Sequence, residues 1–136
     1  MLKTRELMEK IKKSSRSDFV NFSGYTGDDL HNYLAEILQD KGITLRTAID
    51  ALMLDVSYGY QIFNGRRKPT RNILLRFSLL YHLDLQQTQR ILNMGKKNAL
   101  YAQNRFDAAV IFGIEHGYDL EQTEELLHEI GEKTLY

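Results

Sequence analysis

Arg66, Arg67, Lys68 and Arg71 place four cations within six positions, immediately after a stretch, Asp55 to Asn64, with the pattern of a short helix. Cations this dense beside a helix suit the neutralisation of a phosphate backbone, each neutralised phosphate adding about 0.9 to the log-log salt slope of duplex binding. The stretch before them leaves Gly59, Ile62 and Phe63 to face inward, while Ser57, Tyr58, Tyr60, Gln61 and Asn64 remain outside as hydrogen-bonding side chains. Gln61 is of the type that bonds adenine bidentately in a major groove. The chemistry offered is recognition. Catalysis finds no support: there is no nucleophile motif, no phosphate-cradling glycine loop, and His31, His82, His116 and His128 lack the ligand spacing of a metal site. No catalytic residue, metal or cofactor is expected.

These side chains need elements to hold them. In Thr44 to Leu52 the apolar residues Leu45, Ala48, Ile49 and Leu52 recur at helical spacing behind a capping Thr44. Met53 and Leu54 leave room only for a tight turn before Asp55, a good N-cap for the next helix. Asn64-Gly65 ends that helix, because glycine takes the left-handed conformation of a helix C-terminus. An earlier helix starts at Asp28 or Asp29, carries Leu30, Leu34, Ile37 and Leu38 as an apolar stripe and stops at Gly42. Pro69 precedes a helix from Thr70 to about His82, with Ile73, Leu74, Phe77, Leu80 and Tyr81 inward.

The run LMLDVSYGYQIFNGRRKPTR resembles the second half of a lambda-repressor-like (XRE-type) helix-turn-helix domain, with Ile62 to Pro69, IFNGRRKP, its sharpest part. From Ser57 onward the chain is also similar to small bacterial regulators of that kind that carry extra paired helices. The resemblance implies an all-α fold, with a recognition helix at about 55–64 entering the major groove of double-stranded DNA. It places base contacts at Ser57, Tyr58 and Gln61, and phosphate contacts at Tyr60, Asn64, Arg66, Arg67, Lys68 and Arg71, with Arg46 at the start of the preceding helix a further phosphate candidate. A homodimer is expected, since one short helix reads few base pairs and two-fold dimers read palindromic half-sites. Three departures from the family pattern are Leu45-Arg46, where a phosphate-contacting Gln is frequent, Gly59, which costs about 1 kcal/mol relative to alanine in mid-helix, and Asp50 and Asp55, near where phosphates would pass.

Composition bounds the rest. The chain has 136 residues, 43% of them hydrophobic, one proline and no cysteine, enough for one compact helical domain without disulfides. No apolar run approaches the roughly 18 residues of a membrane span, and MLKTRELMEKIKK lacks the apolar core of a signal peptide; a cytoplasmic location is expected. Formal net charge is zero, yet it is unevenly placed: residues 1–16 carry +4, 17–43 carry −4, 44–97 carry +6 and 98–136 carry −6. A basic middle and an acidic tail suit a one-sided anion-binding surface.

DLQQTQRIL at Asp84 to Leu92 returns as DLEQTEELL at Asp119 to Leu127, an offset of 35, which predicts two helical hairpins of like design. In each, Asp caps the helix and Gln87 or Gln122 closes a capping box. The repeat also assigns Asp107 to His116 to a helix, although AAVIFGI alone would suit a buried strand. The organisation expected is therefore a short N-terminal helix and linker (1–27), a helix-turn-helix unit (28–95) and a C-terminal helical hairpin packed on it (96–136). The alternative function is a non-catalytic adaptor that binds a protein partner through the helix-turn-helix groove or the acidic C-terminal hairpin, with Glu121, Glu124, Glu125 and Glu129.

Overall fold

A computed structural model describes residues 29–136. The expected N-terminal helix and linker lie outside the described residues. Those described form seven helices and no strand: α1 Leu30–Asp40, α2 Leu45–Ala51, α3 Val56–Phe63, α4 Arg71–Leu80, α5 Leu85–Met94, α6 Arg105–Glu115 and α7 Leu120–Glu129. The sequence-predicted helices over 29–136 are all present, with ends moved by one to three residues. Each of the last six begins where a short polar side chain accepts a backbone N–H of its first turn: Thr44, Asp55, Thr70, Asp84, Asn104 and Asp119. Both expected capping boxes are formed, Asp84 with Gln87 and Asp119 with Gln122.

The helices pair as three hairpins, α2–α3, α4–α5 and α6–α7. In each, the chain leaves the first helix through one left-handed residue: Met53 (φ 57°), His82 (φ 52°) or Gly117 (φ 70°). The next amide then bonds back five residues, Leu54 to Ile49 O, Leu83 to Ser78 O and Tyr118 to Gly113 O, satisfying a carbonyl the helix end would leave bare. An aspartate cap follows at once. The sequence shows this unit twice; the structure shows it three times, because α2–α3 repeats it at an offset of 29 with a shorter first helix and without the Asp-Leu-x-Gln-Thr string.

Two of the hairpins, α2–α3 and α6–α7, also share a point of close approach. In both it joins residues ten apart, Ile49 and Gly59 in α2–α3 and Gly113 and Thr123 in α6–α7. A Cβ on Gly59 would lie 2.5 Å from Ile49 Cγ2, and one on Gly113 2.6 Å from Thr123 Oγ1. The mid-helix glycine of α3 is thus what allows α2 and α3 to touch. Helix propensity alone makes Gly59→Ala stabilising, but packing should win and the variant should lose about 1 to 2 kcal/mol, read as a lower midpoint in denaturant unfolding. At the turns the sign reverses. Met53→Gly and His82→Gly should each gain about 0.5 kcal/mol, since a left-handed side chain costs about 1 to 2 kcal/mol and glycine returns part of that as entropy; Gly117→Ala should lose about 1 kcal/mol in the same assay.

The centre of the fold is α4. It packs against α5, α6 and α7, and every residue from Ile73 to Leu79 is buried, so it lacks the solvent-facing side of an ordinary amphipathic helix. Phe77, Leu74, Leu75 and Leu79 join Leu34 and Leu38 of α1, Ile49 of α2, Ile91 and Leu92 of α5 and Leu127 of α7 in one continuous core. Arg76 lies inside it. Its guanidinium donates to Leu135 O at 2.6 Å and to Leu52 O at 3.3 Å and sits 4.6 Å from the centre of the Tyr136 ring. Burial pushes this guanidinium below its ordinary pKa, with Tyr136 and Glu124 opposing. Two charged residues are thereby drawn into the fold. Arg76 adds nothing to a basic face, and Glu124 is half-buried and accepts the Leu135 amide at 2.7 Å and the Thr134 hydroxyl.

Candidate nucleic-acid interface

Asp55 Oδ2 accepts the Tyr58 amide at 3.1 Å and fixes where α3 begins. Gly59, Ile62 and Phe63 are buried against α1 and α2, which orients the helix. What remains outward is a stripe at helical spacing, Ser57, Tyr60, Gln61 and Asn64. Ser57, Tyr60 and Asn64 are exposed; Tyr58 and Gln61 are half-buried, so each presents only part of its side chain.

The chain then turns sharply rather than running on. Gly65 is left-handed at φ 84°, and the Gln61 carbonyl accepts both the Arg66 amide (2.9 Å) and the Arg67 amide (3.1 Å). Asn64 Oδ1 accepts the Arg66 amide as well, at 3.0 Å. These bonds fold the loop against the end of α3, with Arg66, Arg67 and Lys68 exposed. Among the described residues no carboxylate pairs with any of the three, whereas Pro69 is buried and closes the loop onto the body.

Arg71, expected on a phosphate, is engaged within the fold. Its guanidinium forms a two-pronged bridge to Asp107, 2.9 Å to Oδ1 and 2.8 Å to Oδ2, and donates to the carbonyls of Asn98 and Ala99. Asp107, 8% exposed, also accepts the Tyr101 amide at 2.9 Å. Arg71 thus ties the start of α4 to α6 and to the loop between α5 and α6. The basic cluster is three residues, not four. Arg46 lies exposed on α2, and its Nε is 3.2 Å from Asp50 Oδ1 one turn on, so a phosphate would have to compete with that carboxylate. An ion pair this exposed contributes little to stability.

Sequence reasoning missed Asp107 and Arg76 as partners of the fold. For Arg76 a signal existed: one cation within ILLRFSLL has no polar face to sit on. For Asp107 there was none, because its partner is 36 positions away.

Among the described residues no group of His, Asp and Glu is placed to hold a metal ion, and none of their helices is long and apolar enough to cross a membrane. No family model, curated protein or solved structure matches the chain.

Proposed function

We propose that this chain is a sequence-specific DNA-binding transcriptional regulator of the XRE kind, acting as a homodimer on a palindromic site. The observation that carries the reading is the α2–α3 hairpin. Its second helix stands on a buried Gly59-Ile62-Phe63 edge, presents Ser57, Tyr60, Gln61 and Asn64 outward, and ends in three exposed cations that pair with no carboxylate among the described residues. A helix of this kind fits the major groove with side chains able to bond base edges, while cations just past its end reach the flanking backbone. Ser57, Tyr58 and Gln61 would specify; Tyr60, Asn64, Arg66, Arg67, Lys68 and Arg46 would position.

The test is selection of bound duplexes from a random pool at low and near-physiological salt. An enriched palindrome whose retention falls steeply with salt is the expected result, and Gln61→Ala should relax preference at one position of each half-site. Binding to no duplex at either salt would sink the reading.

One feature favours the adaptor instead. Phe112 of α6 is 42% exposed and stacks on His116 at 3.8 Å, with Tyr118 edge-on at 5.7 Å. This aromatic cluster lies on the same hairpin as the exposed carboxylates Glu121, Glu125 and Glu129. Under that reading a basic, aromatic-bearing partner engages α6–α7, and reversing those three charges releases it.

A further inference from the structure

Between the start of α1, the end of α3 and the end of α5 is an open cleft of about 310 Å³, within the range that holds small organic molecules. Its floor is apolar: Leu30, Leu34, Ile62, Pro69 and Met94 line it, and all five are buried. Its rim is cationic. Arg67, Lys68 and Lys96 are exposed there, and His31 is half-buried beside them.

No carboxylate is among the described residues lining the cleft; Asp29, next to Leu30 in sequence, does not reach it. The two glycines at its edges are held by packing. A Cβ on Gly95 would lie 2.9 Å from Leu74 Cδ1, and one on Gly65 2.8 Å from His31 Cε1. The closeness of Gly65 to His31 keeps the α3 end and its loop against α1, which sets Arg67 over the apolar floor.

Cations with no carboxylate partner among the described residues, set above a buried apolar surface, select for a ligand with both properties. An inorganic anion leaves the floor wetted, and a neutral apolar molecule leaves the cations without a partner; an acid with an apolar body satisfies both. We propose that this cleft binds a small amphipathic carboxylate, its head on Arg67 and Lys96 and its body on Leu34, Ile62 and Met94, and that occupancy lowers DNA affinity. The second half rests on the DNA-binding reading above, since the bound head group occupies Arg67 and neutralises its neighbour Lys68, two of the cations assigned there to phosphates.

The experiment titrates the full chain with octanoate, 1-octanol and inorganic phosphate while following backbone amide resonances. Octanoate should produce saturable shifts centred on Gly65, Gly95 and Lys96, with a Kd about tenfold or more below that of either other probe, as a charge-assisted contact implies. K96E should raise the octanoate Kd about tenfold and leave 1-octanol unchanged, with resonances away from the cleft unmoved. Scattered or unsaturable shifts, or equal binding of 1-octanol or phosphate, overturn the site. Retention of a labelled duplex with and without saturating octanoate then reads the second half. Reduced retention supports it, and unchanged retention overturns it. If no duplex is bound at all, the DNA reading and the regulatory half fall together, while the amide titration still decides whether the cleft is a carboxylate site.

Discussion

Asp107→Ala should destabilise the protein by about 3 kcal/mol, the cost of breaking a desolvated ion pair from its buried side. The carboxylate accepts both prongs of Arg71 and the Tyr101 amide. Its removal strips three donors at once and leaves a cation only 25% exposed without its counter-charge. For a chain of this size the melting temperature should fall by roughly 10 °C. Because the bridge joins α4 to α6, near-ultraviolet circular dichroism from the aromatic residues of the C-terminal hairpin should weaken well below the main transition. Arg71→Met, which keeps the side-chain length and leaves the buried carboxylate alone, should be about as damaging. The double variant Arg71→Met with Asp107→Leu should recover much of the loss, because a well-packed apolar pair is often as stable as a buried ionic one. A double variant no better than the singles would show that the two side chains do not act as a pair.

The second large effect separates the three exposed cations from the fourth. Replacing Arg66, Arg67 and Lys68 together by Ala should reduce the log-log salt slope of duplex binding by about 2 to 3 and weaken binding by about a hundredfold at low salt, irrespective of sequence. Thermal stability should hardly change, since exposed cations contribute little to the fold. Arg71→Ala should do the reverse, lowering the melting temperature while leaving the salt slope of the folded protein unaltered. Salt-titrated fluorescence anisotropy on one duplex, with melting curves of the same preparations, decides it. An equal loss of slope from Arg71→Ala would return that residue to the interface.

That contrast also marks how far the sequence could be read. Helix starts were legible because capping is local: Thr44, Asp55, Asp84 and Asp119 each bond an amide three positions on, and the polar residue announces itself before an apolar run. The outward stripe of α3 was legible for the same reason, because helical spacing alone separates Ser57 and Asn64 from Ile62 and Phe63. The fate of Arg71 was not. Its neighbours in sequence are Arg66 to Lys68, but its neighbour in space is Asp107, and nothing within one turn of either residue signals a long-range ion pair. Glu124 was hidden likewise, by the return of the chain end over α7. The third copy of the hairpin escaped notice because its shared features are geometric: a left-handed residue, a bond across five positions and a close crossing. The close crossing is met from opposite helices, by Gly59 on the second helix of α2–α3 and by Gly113 on the first helix of α6–α7, so the letters differ where the geometry agrees.

The burial of α4 on all sides orders the protein's opening motions in time. Opening any one hairpin uncovers at most part of Ile73 to Leu79, so the amides of this helix can exchange with solvent deuterium only when the whole chain unfolds, at a rate set by global stability. The exposed edge of α3 has no such protection and can fray alone. Deuterium uptake should therefore proceed from the α3–α4 loop inward, with α4 the last segment to label, and a bound duplex should slow α3 while leaving α4 at its global limit.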